Sequence, residues 1–591
     1  MLYLSIVIES SEDYNIIEKL KCGKYLRNNI INCFIKKERT MKKGFYKIVS
    51  VILSVLMLVS LTACTKDSGE NIIDDENTLN VKIRKAGNGT TYITALKEKF
   101  EETFAAEGYK INVLSPREDL SSTNVYRDIY SGSGIDVYFT SDIEAEAAVD
   151  GDFGQTFADI TSDVYEKPAI KFDGSEETTT IKEKLSFFMM DEAFYKEKCY
   201  GLPYSLSIGG LAVNKKVLDD NQIELPRTSN EMLAAADKIM TKVKSTDQFP
   251  FAFALTGNNY VHSTINAWIA QYGGVEEYNT IWSFDKADGT PLENVYEVYE
   301  YDSLKYALEI VYNFYDYNMA AWGCATSDFS TVQGKLMKGD AAFYSVGDWM
   351  FNEEFERYSN YLNDVTFINT PVVSALGVKL FGAGTSYDMS DADADKTLST
   401  IIKYADQNKL AEEIKPLVDE ELGREIKIQD VTTVCERRGI ARMNASPGLV
   451  ISEKSPKKDL AKLFLRFCAS EDAGKVFAEE AKTASPYSYK TPIDSEYEWI
   501  QSANRIALNP YLTQIESKNK GTRKKLGVTL FPVKGEYFAS DIYEQSVTKY
   551  DEGFNIVKSE SVYLNAAIEM LEAEYEYAKG QIDDGKWQVN G

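Results

Sequence analysis

Histidine is almost absent: His262 is the single one in 591 residues. That excludes a multi-histidine metal centre, and it leaves His262 as the sole base available to a Ser-His-Asp site. The residue sits in NNYVHSTINAWI, which reads as a helix or loop position with a structural role. Cysteine is scarce too, seven in all and none at CxxC spacing, so a zinc ribbon or a dense disulfide scaffold is excluded. Bridges among Cys199, Cys324, Cys435 and Cys468 stay open, because spacing does not give connectivity. Positive charge is in deficit: 65 Lys and Arg face 91 Asp and Glu, a net of −26. Such a surface argues against nucleic acid as a partner and against lying flat on anionic lipid. The apolar run at 48–61, broken only by Ser50, Ser54 and Ser60, is shorter than the roughly 20 residues that span a bilayer, so a permanent transmembrane helix is not expected.

That run has a specific context. Lys42, Lys43 and Lys47 precede it, no acid follows Glu38, and LVSLTACTKD ends it on small residues and a cysteine. A basic start, a short apolar stretch and a small-residue end make a secretory signal. The tetrapeptide Leu61-Thr62-Ala63-Cys64 resembles the bacterial lipobox, which implies that Cys64 carries lipid as the first mature residue. An ordinary cleaved signal with a chance cysteine is the plainer alternative. Met41 then starts the signal at 41–63, and residues 1–40 are expected to be an upstream extension without a domain. Maturation at Cys64 leaves 528 residues carrying about −31, too many for one core, so two or more lobes are expected. The polar, acidic segment 64–77 reads as a flexible tether.

From residue 78 the pattern alternates. LNVKIRKAGNGTTYITALKEKFEET reads as strand, glycine turn and helix, with Thr90 or Thr91 as the cap. INVLSP and GIDVYFTSD read as further strands. Strands alternating with helices predict α/β layers around a mainly parallel sheet. Ligands of such sheets sit beyond the carboxyl ends of the strands, which nominates Gly87, Asn88, Gly89, Thr140, Ser141 and Asp142. The 38 tyrosines suit stacking on flat ligands and equally suit an ordinary extracellular surface.

Four later segments carry a resemblance. They are YGLPYSLSIGGLAVNKKVLDDNQIELPRTSNEMLAAADKI, WIAQYGG, FSTVQGKLMKGDAAFYSVGDWM and ASPGLVISEKSPKKDLAKLFLRFCASEDAGKVFAEEA, in that order. Together they resemble family 1 extracellular solute-binding proteins of bacterial ABC importers, the maltose-binding-protein-like family. Val213 stands where the family usually has tyrosine and Ser229 where it usually has tryptophan. The resemblance covers most of residues 79–485. It implies a two-lobe, type II periplasmic-binding-protein-like α/β fold, with hinge crossings and a ligand cleft. Lobe one would hold 78–203 and 437–487, lobe two 204–436 and 488–591, with 386–436 an insertion of no assigned role.

The resemblance also implies a cleft lined by Trp349 as a stacking face, with Tyr344, Gly347 and Asp348 on the same strand and turn. Asn258, Asn259 and Tyr260 would form a ligand-facing loop, Tyr204 would sit at the crossing, and Trp322 would face the cleft. Trp268 fits a core helix face instead. Arg437, Arg438 and Arg442 could hold an anion, but a hinge salt bridge is the preferred reading. DMSDADADKT lacks the glycine and glutamate that a calcium loop needs, so a solvated turn with Asp395 capping the next helix is expected.

The functional expectation is a lipid-anchored, monomeric receptor on the outer face of the cell membrane. It captures a carbohydrate, an oligosaccharide by preference, and delivers it to the permease subunits of an ABC importer. It is expected to be no enzyme and to use no cofactor or metal. A peptide, polyamine or anionic solute on the same fold is the alternative, and a secreted glycosidase with paired carboxylates is a more distant one.

Overall fold

The computed structural model describes residues 71–118, 120–140, 143–185, 191–254, 260, 262–292, 298, 301–314, 319–446, 448–487 and 495–515. The expected signal at 41–63 and Cys64 lie outside them. Two main sheets organise the chain. In the first, β1 (Thr78–Ile83) pairs in parallel with β2 (Lys110–Val113) and β3 (Val137–Phe139). The connections run through α1 (Thr91–Thr103) and α2 (Ser122–Ser131), the right arrangement for parallel neighbours. All six residues of β1 are buried, Lys82 included. Ser121 caps α2 by accepting the Asn124 N–H, and Gly132 closes it with φ +78°. Thr90 occupies the N-cap position of α1 but makes no side-chain capping bond.

The second sheet is built on β4 (Ser205–Asn214). It pairs antiparallel with β6 (Ala341–Gly347), β7 (Val365–Ile368) and β8 (Ile440–Ser446). β5 (Phe249–Ala252) lies parallel to β6, and β10 (Thr513–Ile515) lies parallel to β8. Helix α3 (His262–Gly273) packs against this sheet. Gly209 makes that approach possible, since a Cβ there would stand 2.8 Å from the Cβ of Ser263.

Three crossings join the sheets. The chain enters the second at Ser205 and returns after Ser446 to β9 (Leu449–Ile451), which pairs antiparallel with β3. Residues 437–446, assigned above to lobe one, therefore belong with lobe two. The reason is β-pairing: IARMNAS forms a strand against β4, and the crossing is the short link that follows. After α8 (Lys458–Cys468) and α9 (Glu471–Ala481), the chain crosses again at 483–487 to α10 (Glu498–Ala507), which packs on β7.

The segment at 386–436 is helical. α5 (Asp391–Ala405), α6 (Ala411–Leu422) and α7 (Ile428–Arg438) close on a hydrophobic cluster that they share with the preceding helix Ala375–Phe381, with Leu398, Ile401, Ile414 and Val434 fully buried. Ser390, not Asp395, caps α5 by accepting the Asp393 N–H. Asp395 lies inside the helix and accepts the Thr228 hydroxyl at 3.2 Å. The expected tether is also shorter. Ile73 exchanges two 3.0 Å bonds with the Asn80 side chain, and Thr78 donates to Asp75, so residues 72–77 are held on the first lobe. Cys199, Cys324, Cys435 and Cys468 are buried free thiols.

Candidate functional site

Two turns from different sheets meet. One follows β1 at 87–89; the other follows β6 and leads into α4 (Met350–Glu354). Asn352 donates its side-chain amide to the Gly87 carbonyl at 2.7 Å. A Cβ on Gly87 would stand 2.9 Å from the Trp349 indole and 2.8 Å from Oε1 of Glu353. Glycine is thus required by close approach rather than by an unusual φ. Gly89 does take φ +67°, the left-handed value that favours glycine. Between them, Asn88 buries an Oδ1 that has no partner among the described residues. A buried acceptor without a donor costs about 1–3 kcal/mol, which a bound hydroxyl would recover.

Trp349 is half-buried, and its indole folds back over Gly347, where any Cβ would overlap it. Tyr260 meets the indole edge to face, with ring centroids 5.5 Å apart at 74°. Ser345 fixes the Tyr260 backbone by donating to its carbonyl at 2.9 Å. Glu353 accepts the Gln333 amide at 2.9 Å. Although Glu353 as a whole is exposed, its carboxyl lies against the 87–89 turn, and loss of water there pushes its pKa up against the Gln333 bond. The result is an aromatic corner flanked by planar amides and one carboxyl, facing a glycine turn. That combination can stack on an apolar ring face while bonding hydroxyls at its rim.

Gly87, Asn88, Gly89, Tyr260, Gly347 and Trp349, nominated from sequence, converge here. The other described candidates do not. Thr140 is fully buried; its hydroxyl donates to the Leu120 carbonyl at 2.8 Å and its N–H to the Gly448 carbonyl, so it braces the second crossing. Tyr204 packs into the first lobe, its ring 5.3 Å from Phe139 and stacked at 6.5 Å on Tyr92. Tyr344 is buried in mid-β6, between Ala212 and Ala252. Trp322 is 63% exposed at the wrong end of the sheet. It donates to Asp247 and packs on Phe249, which pairs with Ala341, six residues before Gly347 along β6. At about 3.3 Å per residue, that places it roughly 20 Å from the turn. Ser141, Asp142, Asn258 and Asn259 lie outside the described residues.

Asp348 is a hinge residue. Fully buried, it accepts the Ile208 N–H at 2.9 Å, the Ala484 N–H at 3.1 Å and the Thr483 hydroxyl. Its carbonyl accepts the Trp499 indole N–H at 2.8 Å. One side chain thus ties β4 and β6 to the third crossing. Burial pushes its pKa up to about 6, with the Thr483, Ile208 and Ala484 bonds opposing that shift. Arg438 does form a salt bridge, but inside lobe two: it grips Asp406 at 2.6 and 3.0 Å and donates to the Thr370 carbonyl.

Sequence reasoning missed Asn352, Glu353 and Gln333. The first two were findable, because positions three and four after Trp349 fall on the same helical face. Gln333 comes from the helix Phe329–Lys338 and required the fold.

No curated protein matches the sequence. Among solved structures, a probable secreted solute-binding lipoprotein from Streptomyces coelicolor aligns with TM-score 0.51 and 14% identity, over 85% of this chain and 100% of that one. A chitin oligosaccharide binding protein aligns with TM-score 0.50 and 14% identity, over 85% and 99%. A protein from a study of xylan utilization by Caldanaerobius polysaccharolyticus aligns with TM-score 0.50 and 13% identity, over 84% and 100%. These likenesses agree with the sheets and crossings in giving the two-lobe, type II periplasmic-binding fold. The family described as "Bacterial extracellular solute-binding protein" matches residues 86–475, well over half the sequence, and this chain belongs to it.

Proposed function

We propose that the protein captures a carbohydrate, an oligosaccharide by preference, between its lobes and hands it to the permease of an ABC importer. The observation that carries this reading is the Trp349 indole set against Gly87 and braced by Tyr260. The C–H face of a pyranose ring is apolar and packs on an indole, while its hydroxyls suit Asn88, Asn352 and Glu353. The chitin oligosaccharide binding protein noted above supports the same ligand class.

The mechanism follows from the hinge. The Asn352 to Gly87 bond spans the two lobes, so it exists only when the turns are together. A solute bonded to both turns favours that arrangement by the difference between its affinities for closed and open states. Binding leaves the solute chemically unchanged. Cys64 carries the lipid anchor in this reading, and residues 72–77 are bound to the first lobe. Replacing Cys64 with Ala would release the protein into the medium, which fractionation detects.

The decisive experiment is calorimetric titration of the purified protein with mono- and oligosaccharides. Saturable binding without release of hydrolysis products is expected; binding of peptides or polyamines alone would overturn the carbohydrate assignment. The Glu353 carboxyl beside Trp349 favours one second reading, a cationic solute such as a polyamine, which the same panel includes.

A further inference from the structure

Away from the cleft, a cavity of about 260 Å³ opens where the inserted helices meet the second sheet. Phe367 and Ile368 line one side, the C-terminal end of α5 a second, and α10 a third. At about 30 Å³ for each water in the liquid, this is room for roughly eight waters, or for one small organic ion.

Its charge is uneven. Arg227, Lys403, Arg438 and Arg505 border it, against only Asp406 and Glu498. Both acids are engaged: Asp406 takes the two-pronged contact from Arg438, and Glu498 pairs with Lys215. Lys403 is held by Glu421 at 2.9 Å. Arg227 has a long 3.5 Å contact to the highly exposed Glu224, and its charge also acts on Glu421, which Lys403 holds. The Arg505 guanidinium donates to Ser502 at 3.4 Å and has no acidic partner among the described residues, while its carbonyl accepts from Asn408 at 3.1 Å. Two guanidinium groups with weak or absent acidic partners thus border one cavity, in a chain whose net charge is −26. Guanidinium is the planar donor that matches carboxylate and phosphate oxygens in pairs.

We propose that this cavity is a second binding site, taking a small anion with a carboxylate or phosphate group between Arg505 and Arg227. The site depends on the insertion, since α5 forms one of its walls. A bound anion would therefore clamp the insertion to lobe two without touching the cleft. The opposing force is visible too. α5 and α10 both end at the cavity, and their terminal carbonyls carry partial negative charge. Neutralising those ends would be the arginines' whole role if no anion binds.

The test is calorimetry and thermal unfolding of the full chain with inorganic phosphate and with citrate, each matched to sodium chloride at equal ionic strength. Saturable binding and a rise in Tm beyond the chloride control are expected from at least one anion, and the stronger of the two names the preferred group. Arg505→Ala changes an exposed side chain and should keep the fold, yet weaken binding at least tenfold; Arg227→Ala should weaken it several-fold. If neither anion exceeds chloride, or if Arg505→Ala binds with unchanged Kd, the proposal fails.

Discussion

Asn352 in the second lobe donates its amide to the backbone of Gly87 in the first, 2.7 Å away, and this one bond marks the cleft as shut. The same approach leaves no room for even one methyl group on Gly87. Gly87→Ala would drive a methyl group into Trp349 and Glu353. Overpacking of that kind costs about 1–3 kcal/mol, and here the cost falls on the closed state alone. Solute affinity should drop by roughly 5- to 150-fold, while unfolding temperature in the absence of solute changes little. Small-angle scattering should show a more open average shape. An unchanged Kd would mean that the turns need not meet when solute binds.

Trp349 and Trp322 provide an internal control. Trp349→Ala should weaken binding at least tenfold, whereas Trp322→Ala, on the far end of the sheet, should leave Kd within twofold. Equal losses from both would contradict the placement of the cleft.

These two tryptophans also show what the sequence made legible. A glycine turn after the first strand and a tryptophan after GKLMKGDAAFYSVGD point to the two turns that meet in the candidate site. Trp322 failed because residue type does not tell which end of a parallel strand a loop serves; only the pairing of Phe249 with Ala341 does that. Tyr344 and Thr140 failed because these strands are covered on both sides, so alternation no longer separates inward from outward positions. Asp348 looked like a cleft carboxylate, since nothing local reveals that Thr483 and Ala484 return to meet it. Segment 386–436 stood out by its break with the family pattern, but its separate core depends on its three helices closing on Ala375–Phe381 as well as on one another.

That separation is itself testable. Leu398→Ala or Ile401→Ala removes a fully buried side chain from the inserted cluster. Each should cost about 2–5 kcal/mol of local stability. Solute affinity measured well below the unfolding temperature should stay within twofold, because that cluster is distinct from the core beneath the cleft. Hydrogen exchange would show faster exchange confined to α5, α6, α7 and the helix Ala375–Phe381 that shares their cluster. A collapse of solute binding would join the insertion to the cleft.

Asp348 sets a pH dependence whose sign can be worked out. Its carboxyl has an ordinary value of 3.8 and is raised to about 6 by burial in the folded protein. The folded state therefore holds this proton more tightly than the unfolded chain. The stabilisation is fully present below the unfolded value and is lost as pH rises through about 6; integrated over that window it amounts to roughly 3 kcal/mol. Asp348→Asn has no such proton to lose. It also points an amide hydrogen at a cluster of donors, so it should be less stable than the parent even above pH 6, and by a wider margin as pH falls. The readout is the slope: chemical denaturation between pH 4 and 6.5 should show the parent losing stability relative to Asp348→Asn as pH rises. Parallel curves would mean that Asp348 stays ionised throughout, with the three bonds from Ile208, Thr483 and Ala484 outweighing its burial.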